Sequence, residues 1–282
     1  MRNFTFQKGN NKYSLDISYL KYCMGMNDIE KYKFKQILIE SLNGSKESEY
    51  SISNSGKAKF FIDNKEASHK NIYFVNVDHN FSILDNLKLS SKSLVTKYLE
   101  VLMSDIEYID TINSINILLE AFGQELDDRL FTSRFATYTP KLFLKILMPM
   151  FIKEENQANE YDLDYNERIL FQLAMIDYLS KNDVTQEYMC LLEIPLLTKE
   201  IKDYLDKMRC VVIVIVNRFK VLPKLSDIYL FDKKVVDLNN EEDIYTIFIQ
   251  KGICTLEEAK KEMERLLEME MKKLDMSIFD NK

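Results

Sequence analysis

Residues 210–217 read C-V-V-I-V-I-V-N, and six in succession, Val211, Val212, Ile213, Val214, Ile215 and Val216, are β-branched. Such side chains lose rotamer freedom in a helix but pack well on a pleated sheet, so the stretch predicts a strand. It does not alternate with polar residues. Both faces must therefore be covered, as in a parallel sheet with helices above and below. It is too short to cross a membrane as a helix. The strand has no chemistry of its own, but it sets an α/β class, and a ligand site is sought in the loops at strand ends.

Working outward, residues 188–194 (Y-M-C-L-L-E-I) predict a second strand. Residues 198–208, opened by Thr198 and Glu200 and carrying Ile201, Tyr204 and Leu205, predict a helix. Together with 210–216 they form a βαβ unit, whose two strands should be parallel. Beyond it, 227–232 (D-I-Y-L-F-D) is one more strand and 235–238 an edge. Residues 241–249 and 256–274 read as helices, the second capped by Thr255 with Glu258 three residues on. Toward the N-terminus, 3–7 and 13–18 alternate around K-G-N-N and predict a hairpin. A short run, 19–24 (Y-L-K-Y-C-M), ends at Gly25. The spacing then turns helical, with Ile29, Phe34, Ile37, Leu38 and Leu42 on one face, Asn27 or Asp28 as cap, and Asn43 and Gly44 as the stop. Residues 49–53 and 57–62 flank N-S-G as a second hairpin, and 71–78 is a buried-type strand.

From Ser91 to Leu126 helical spacing hardly breaks, predicting one long projecting helix or two nearly continuous ones. Residues 140–152 and 165–179 add two amphipathic helices. The expected organisation is an α/β head with a mostly parallel sheet, made from residues 1–90 and 182–282, and an α-helical leg at 91–181.

Of 282 residues, 46% are hydrophobic and 29% charged, with 6 Gly, 4 Pro, 16 Tyr and 17 Phe, which suits a globular helix-rich chain without disordered linkers. The first ten residues lack an apolar signal core, so a cytoplasmic location is expected. Cys23, Cys190, Cys210 and Cys254 form no CxxC pair, and the first three sit in or beside apolar runs as core residues. His69 and His79 lie in no catalytic motif. The net charge of −7 argues against a protein coated by nucleic acid over its whole surface, but leaves room for a local basic lining.

Strand, Gly loop, helix is the setting of a phosphate-binding loop. Against G-x-x-x-x-G-K-[ST], the chain has Gly25, with Lys31 and Tyr32 at the Lys and hydroxyl positions. Glu30 stands where the second Gly belongs, placing negative charge beside the expected anion, and Tyr32 replaces the hydroxyl that would hold Mg²⁺. A strand-to-helix turn inside a sheet domain is the better reading of this segment.

The order of these parts carries a family resemblance: the degenerate loop G-M-N-D-I-E-K-Y-K-F-K-Q-I-L, the strand N-I-Y-F-V-N-V-D-H-N-F-S-I-L-D-N-L, a long helical excursion, and E-Y-M-C-L-L-E-I-P-L-L-T-K-E-I-K-D-Y-L-D-K-M-R-C-V-V-I-V-I-V. The chain resembles the type II-A CRISPR accessory protein of spacer acquisition, in its long subgroup, over about residues 1–220; the tail from Phe219 matches nothing in it. The resemblance implies an α/β head related to phosphate-loop ATPases, a helical leg, and a ring-shaped homotetramer threaded by ends of double-stranded DNA. It also implies calcium as a structural ion and no nucleotide hydrolysis. The adaptation integrase complex and the effector nuclease would be its partners, with no membrane involved.

Sequence-independent DNA contact needs cationic side chains on one surface. By clustering, the candidates are Lys31, Lys33 and Lys35, then Lys57 and Lys59, then Lys88, Lys92 and Lys97. For calcium, E-Y-D-L-D-Y-N-E offers Glu160, Asp162, Asp164 and Glu167, resembling the acidic run before a leg helix in shorter family members; acids also favour a helix start. Glu125, Asp127 and Asp128 form a weaker acidic group. Two rival readings stand beside the DNA-binding ring: a nucleotide-binding ATPase or switch acting on DNA that keeps Lys31 functional, and a scaffold that binds only protein.

Overall fold

The computed structural model describes residues 1–44, 56–90, 93–249, 252 and 255–275. Strands β1 (Arg2–Lys8), β2 (Asn11–Ile17) and β3 (Leu20–Met24) lead into helix α1 (Asp28–Asn43). Strands β4 (Lys59–Ile62), β5 (Lys65–Glu66) and β6 (Ile72–Asp78) follow. Next come α2 (Ile83–Leu87), α3 (Leu94–Leu102), α4 (Ile106–Glu125) and α5 (Pro140–Phe143). A small hairpin, β7 (Ile152–Lys153) and β8 (Asn156–Gln157), precedes α6 (Tyr165–Asn182). The remainder runs β9 (Glu187–Leu197), α7 (Lys199–Leu205), β10 (Val211–Phe219), β11 (Ile228–Phe231), β12 (Val235–Asp237), α8 (Glu241–Ile249) and α9 (Leu256–Asp275).

Two compact units result: Met1–His79 with Thr185–Lys282, and Asn80–Val184. The first division falls about ten residues before the expected one, because α2 belongs to the helical unit, where it packs on α3.

The head holds a six-stranded sheet in the order β12-β11-β3-β10-β9-β6. Strand β10 runs parallel to both β3 and β9, β6 is parallel to β9, and β11 to β3; only β12 is antiparallel, at the edge. The six β-branched residues of β10 are all buried, as two covered faces require. One face, with Val211, Ile213 and Ile215, packs in one cluster with Phe34, Ile37, Leu38 and Leu42 of α1. Phe4, Phe6, Tyr13 and Leu15 join that cluster from a second sheet, β2-β1-β4-β5, which is antiparallel throughout. The expected N-terminal hairpin thus forms, but in its own sheet.

Side chains alternate across a strand, so Val212, Val214 and Val216 face the other way. Helix α9 packs on β10 and buries Ala259, Met263 and Leu267, none of which belongs to the first cluster. The tail therefore covers the second face of the sheet.

Two local expectations change. Ile29 is exposed, because the buried stripe of α1 starts with Lys31 and Phe34. Residues 140–152 do not form one helix: beyond α5 the chain continues only as i→i−3 turns through Leu147, and Pro149 cannot extend them. Of the two alternatives for the run from Ser91, the structure has two nearly continuous helices, separated by residues 103–105. The strand expected at 49–53 lies outside the described residues, as does Cys254. The other three cysteines are buried, and burial raises the thiol pKa of Cys23 and Cys190. No helix among the described residues is long and apolar enough to cross a membrane.

Candidate functional site

In a parallel sheet, ligands are met at the carboxyl ends of the strands. Here that rim is formed by the loops after β3, β10 and β11, which are adjacent and parallel. The loop after β3 is the degenerate phosphate loop. Gly25 has φ +114°, and a Cβ there would collide with the Phe231 carbonyl oxygen at the end of β11. The two backbones touch because glycine leaves room.

This contact turns amides of the loop toward protein acceptors. The Asn27 amide donates to the Phe231 carbonyl (3.0 Å), and Asn27 Nδ2 donates to the Asp232 carbonyl (3.1 Å). The Glu30 amide donates to Asn27 Oδ1 (3.1 Å), the Asp28 amide to the Met26 carbonyl (3.1 Å) and the Lys31 amide to the Asn27 carbonyl (3.0 Å). A phosphate nest needs such amides unoccupied and pointing at one centre. Here the amides of Asn27, Asp28, Glu30 and Lys31 have protein acceptors.

The side chains reinforce the closure. Lys31 is buried; its Nζ donates to Asn217 Oδ1 (3.0 Å) just past the β-branched run and pairs with Asp28 Oδ1 (2.8 Å). Glu30 accepts from Lys33 Nζ (2.6 Å) and the Tyr13 hydroxyl (2.9 Å). The Lys33 and Tyr13 hydrogen bonds hold the Glu30 carboxyl below its usual range, while burial and then Glu30 itself push the Tyr13 phenol up. Tyr32 is exposed.

Six of the eight candidate lysines are held in ion pairs and do not form a free cationic surface. Besides Lys31 and Lys33, Lys35 pairs with Glu193 (2.6 Å), Lys59 with Glu66 (3.3 Å), Lys88 with Asp85 (2.6 Å) and Lys97 with the buried Asp183 (2.8 Å). Lys57 is exposed ahead of β4, and Lys92 lies outside the described residues. Clustering in sequence missed that each group carries its own counter-ions.

The same rim holds cations that clustering did not find. Arg218 and Lys220 at the end of β10, and Lys233 and Lys234 after β11, are exposed and form no ion pair among the described residues. They flank the closed loop on both sides, with Asp28 and Asp232 the exposed acids nearby in sequence. The sequence signal was positional: basic residues just past the carboxyl ends of parallel strands.

Glu160, Asp162, Asp164 and Glu167 lie in the helical unit, in a 3-10 turn and the start of α6. They do not fit a calcium ion. Glu160 accepts from the Ser82 hydroxyl (2.9 Å) and the Leu84 amide (3.4 Å) at the start of α2. Burial opposes the charged form of Glu160, yet these hydrogen bonds and the nearby Arg168 hold its pKa low. Asp162 Oδ2 accepts from the Asn159 amide and Asp164 Oδ1 from the Glu167 amide (both 2.8 Å), two capping boxes in succession. Glu167 gives both oxygens to Lys153 (2.7 and 2.8 Å). Among the described residues, no group of three or more His, Cys, Asp or Glu is placed to hold a metal. Glu125, Asp127 and Asp128 are likewise not gathered; Asp127 and Asp128 accept backbone amides of the following turn.

Fold and rim together define a class: an α/β head with a phosphate-loop-like strand–turn–helix closed by its own backbone, and a helical unit inserted between its strands. A solved structure of similar fold is the crystal structure of Stu0660 of Streptococcus thermophilus, at TM-score 0.65 and 16% identity, covering 90% of this chain and 80% of that one. No protein-family model and no curated protein matches the sequence.

Proposed function

We propose that this chain is a noncatalytic protein binding ends of double-stranded DNA, of the type II-A CRISPR spacer-acquisition family and its long subgroup. It assembles as a ring-shaped homotetramer and acts beside the integrase pair and the effector nuclease. The observation that carries this reading is the closed loop: the head keeps the strand, turn and helix of a phosphate-loop protein, while Phe231, Asn217 and Asp28 take the groups a nucleotide would need. No calcium is assigned to the acidic turn.

Self-association is supported by the helical unit's surface. Leu118 is 70% exposed, Phe131 71% and Met148 89%, and Ile106, Ile117 and Phe122 are exposed with them. So much exposed apolar surface on one unit is what an interface leaves uncovered in a single chain. DNA contact falls to Arg218, Lys220, Lys233 and Lys234, which have no ion-pair partners to displace among the described residues.

A gel shift comparing linear duplex with a closed circle of the same sequence, at graded salt, tests the reading, alongside sizing in solution. A tetramer that retains the linear form and releases the circle is expected. Equal binding of both forms, or no DNA binding, would overturn it. Saturable Mg²⁺-ATP binding lost on Lys31→Ala would replace it with a nucleotide switch.

A further inference from the structure

The acidic turn of the helical unit has a cation of its own. Lys153 Nζ lies 2.8 Å from Glu167 Oε1, 2.7 Å from Glu167 Oε2 and 2.9 Å from the Asp162 carbonyl oxygen. A bidentate carboxylate with a main-chain carbonyl is the donor set a hard cation takes, at about 2.3–2.6 Å for calcium. The observed distances are those of an ammonium donating three hydrogen bonds. From this geometry we infer that the Lys153 ammonium stands where a divalent ion would bind, so that the start of α6 is organised without metal.

The hairpin that delivers Lys153 fits this role. β7 and β8 are joined by Glu154 and Glu155, whose φ values are +51° and +66°. Such a two-residue turn favours Asn-Gly, because side chains are disfavoured at positive φ. A turn made from two glutamates is strained, and the surrounding contacts must hold it. The lysine ahead of it anchors the turn to the Glu167 carboxylate and the Asp162 carbonyl. Glu167 also accepts the Asp164 amide (2.9 Å) as one half of the capping box, so the ammonium and the helix start share one carboxylate.

The charges agree. The hydrogen bond from Lys153 is the main cause holding Glu167 below its usual range, and the same bond raises the lysine. A calcium ion at Glu167 would have to displace a cation already held by three oxygens. The inference concerns the folding of the helical unit and stands whether or not the protein binds DNA.

The test uses the full-length protein, melted in EDTA and in millimolar calcium, with hydrogen exchange at residues 160–168. The melting temperature of the wild type is expected to be the same in both. Lys153→Met should lower it by the same amount in both and speed exchange of the Asp164 and Glu167 amides at least tenfold. Lys153→Arg should restore both. The inference is overturned if chelation lowers the wild-type melting temperature and Glu167→Gln removes that dependence. It is equally overturned if Lys153→Met leaves amide exchange at 160–168 unchanged.

Discussion

Lys31 of α1 reaches across 186 residues of sequence to put its ammonium 3.0 Å from the side-chain oxygen of Asn217. In a working phosphate loop the lysine at this place points toward the phosphates. Here it ties the helix start to the end of the central strand. If the pair is structural, Lys31→Met should reduce unfolding stability by about 1 kcal/mol, below the ~1.5–3 of a fully buried charged hydrogen bond because Asp28 is exposed. Denaturant unfolding measures that loss. Nucleotide titration of the wild type should give no saturable signal to lose.

Gly25 allows the β3 loop to lie against the end of β11, at a φ that L side chains rarely adopt. Gly25→Ala meets the Phe231 carbonyl as well as the torsional penalty, so a loss of more than ~2 kcal/mol is expected. A variant as stable as the wild type, with an unshifted midpoint in urea, would show that the loop and β11 are not in contact.

Among the rim cations, each that touches a phosphate should lower the slope of log K against log salt by about 0.9 when removed. Replacing Arg218, Lys220, Lys233 and Lys234 one at a time by Ala should therefore flatten the salt dependence in steps. Lys35→Ala should leave it unchanged, because Glu193 already holds that ammonium. Fluorescence anisotropy with labelled duplex reads both.

Glu30 predicts a pH dependence. Its carboxyl is held low first by Lys33 and then by the Tyr13 hydroxyl. A group whose folded pKa lies below its unfolded value contributes stability above the ordinary glutamate range, and that contribution disappears as pH falls through the folded pKa. Unfolding free energy should thus decline by less in Glu30→Gln than in the wild type as pH falls from the ordinary glutamate range, about 4.3, through the lower folded pKa, with the curves converging in stronger acid. Parallel curves would mean that Glu30 is not coupled to folding.

Much of the head could be read from residue types. Val211 to Val216 admitted only a strand covered on both faces, and Thr198, Asn27 and Thr255 marked helix starts where the structure places caps. These are local signals, set by rotamer freedom and by unpaired amides at helix ends. The tail could be read as two helices but not located. That α9 covers the second face of the sheet depends on which apolar surface remained uncovered after α1 and the antiparallel sheet had packed.

The sequence alone determined the α/β class, the order of most strands and helices in the head, and the departure of Glu30 and Tyr32 from the phosphate-loop pattern. Each follows from the side chains of contiguous residues. Only the tertiary structure decided which charges are free. Lys35, Lys97 and Lys153 find their carboxylates 158, 86 and 14 residues away, while Arg218 and Lys234 find none among the described residues. Clustering in sequence counts charges, whereas phosphate and metal respond to the field left after neighbours in space have paired, and that pairing exists only once the chain has folded.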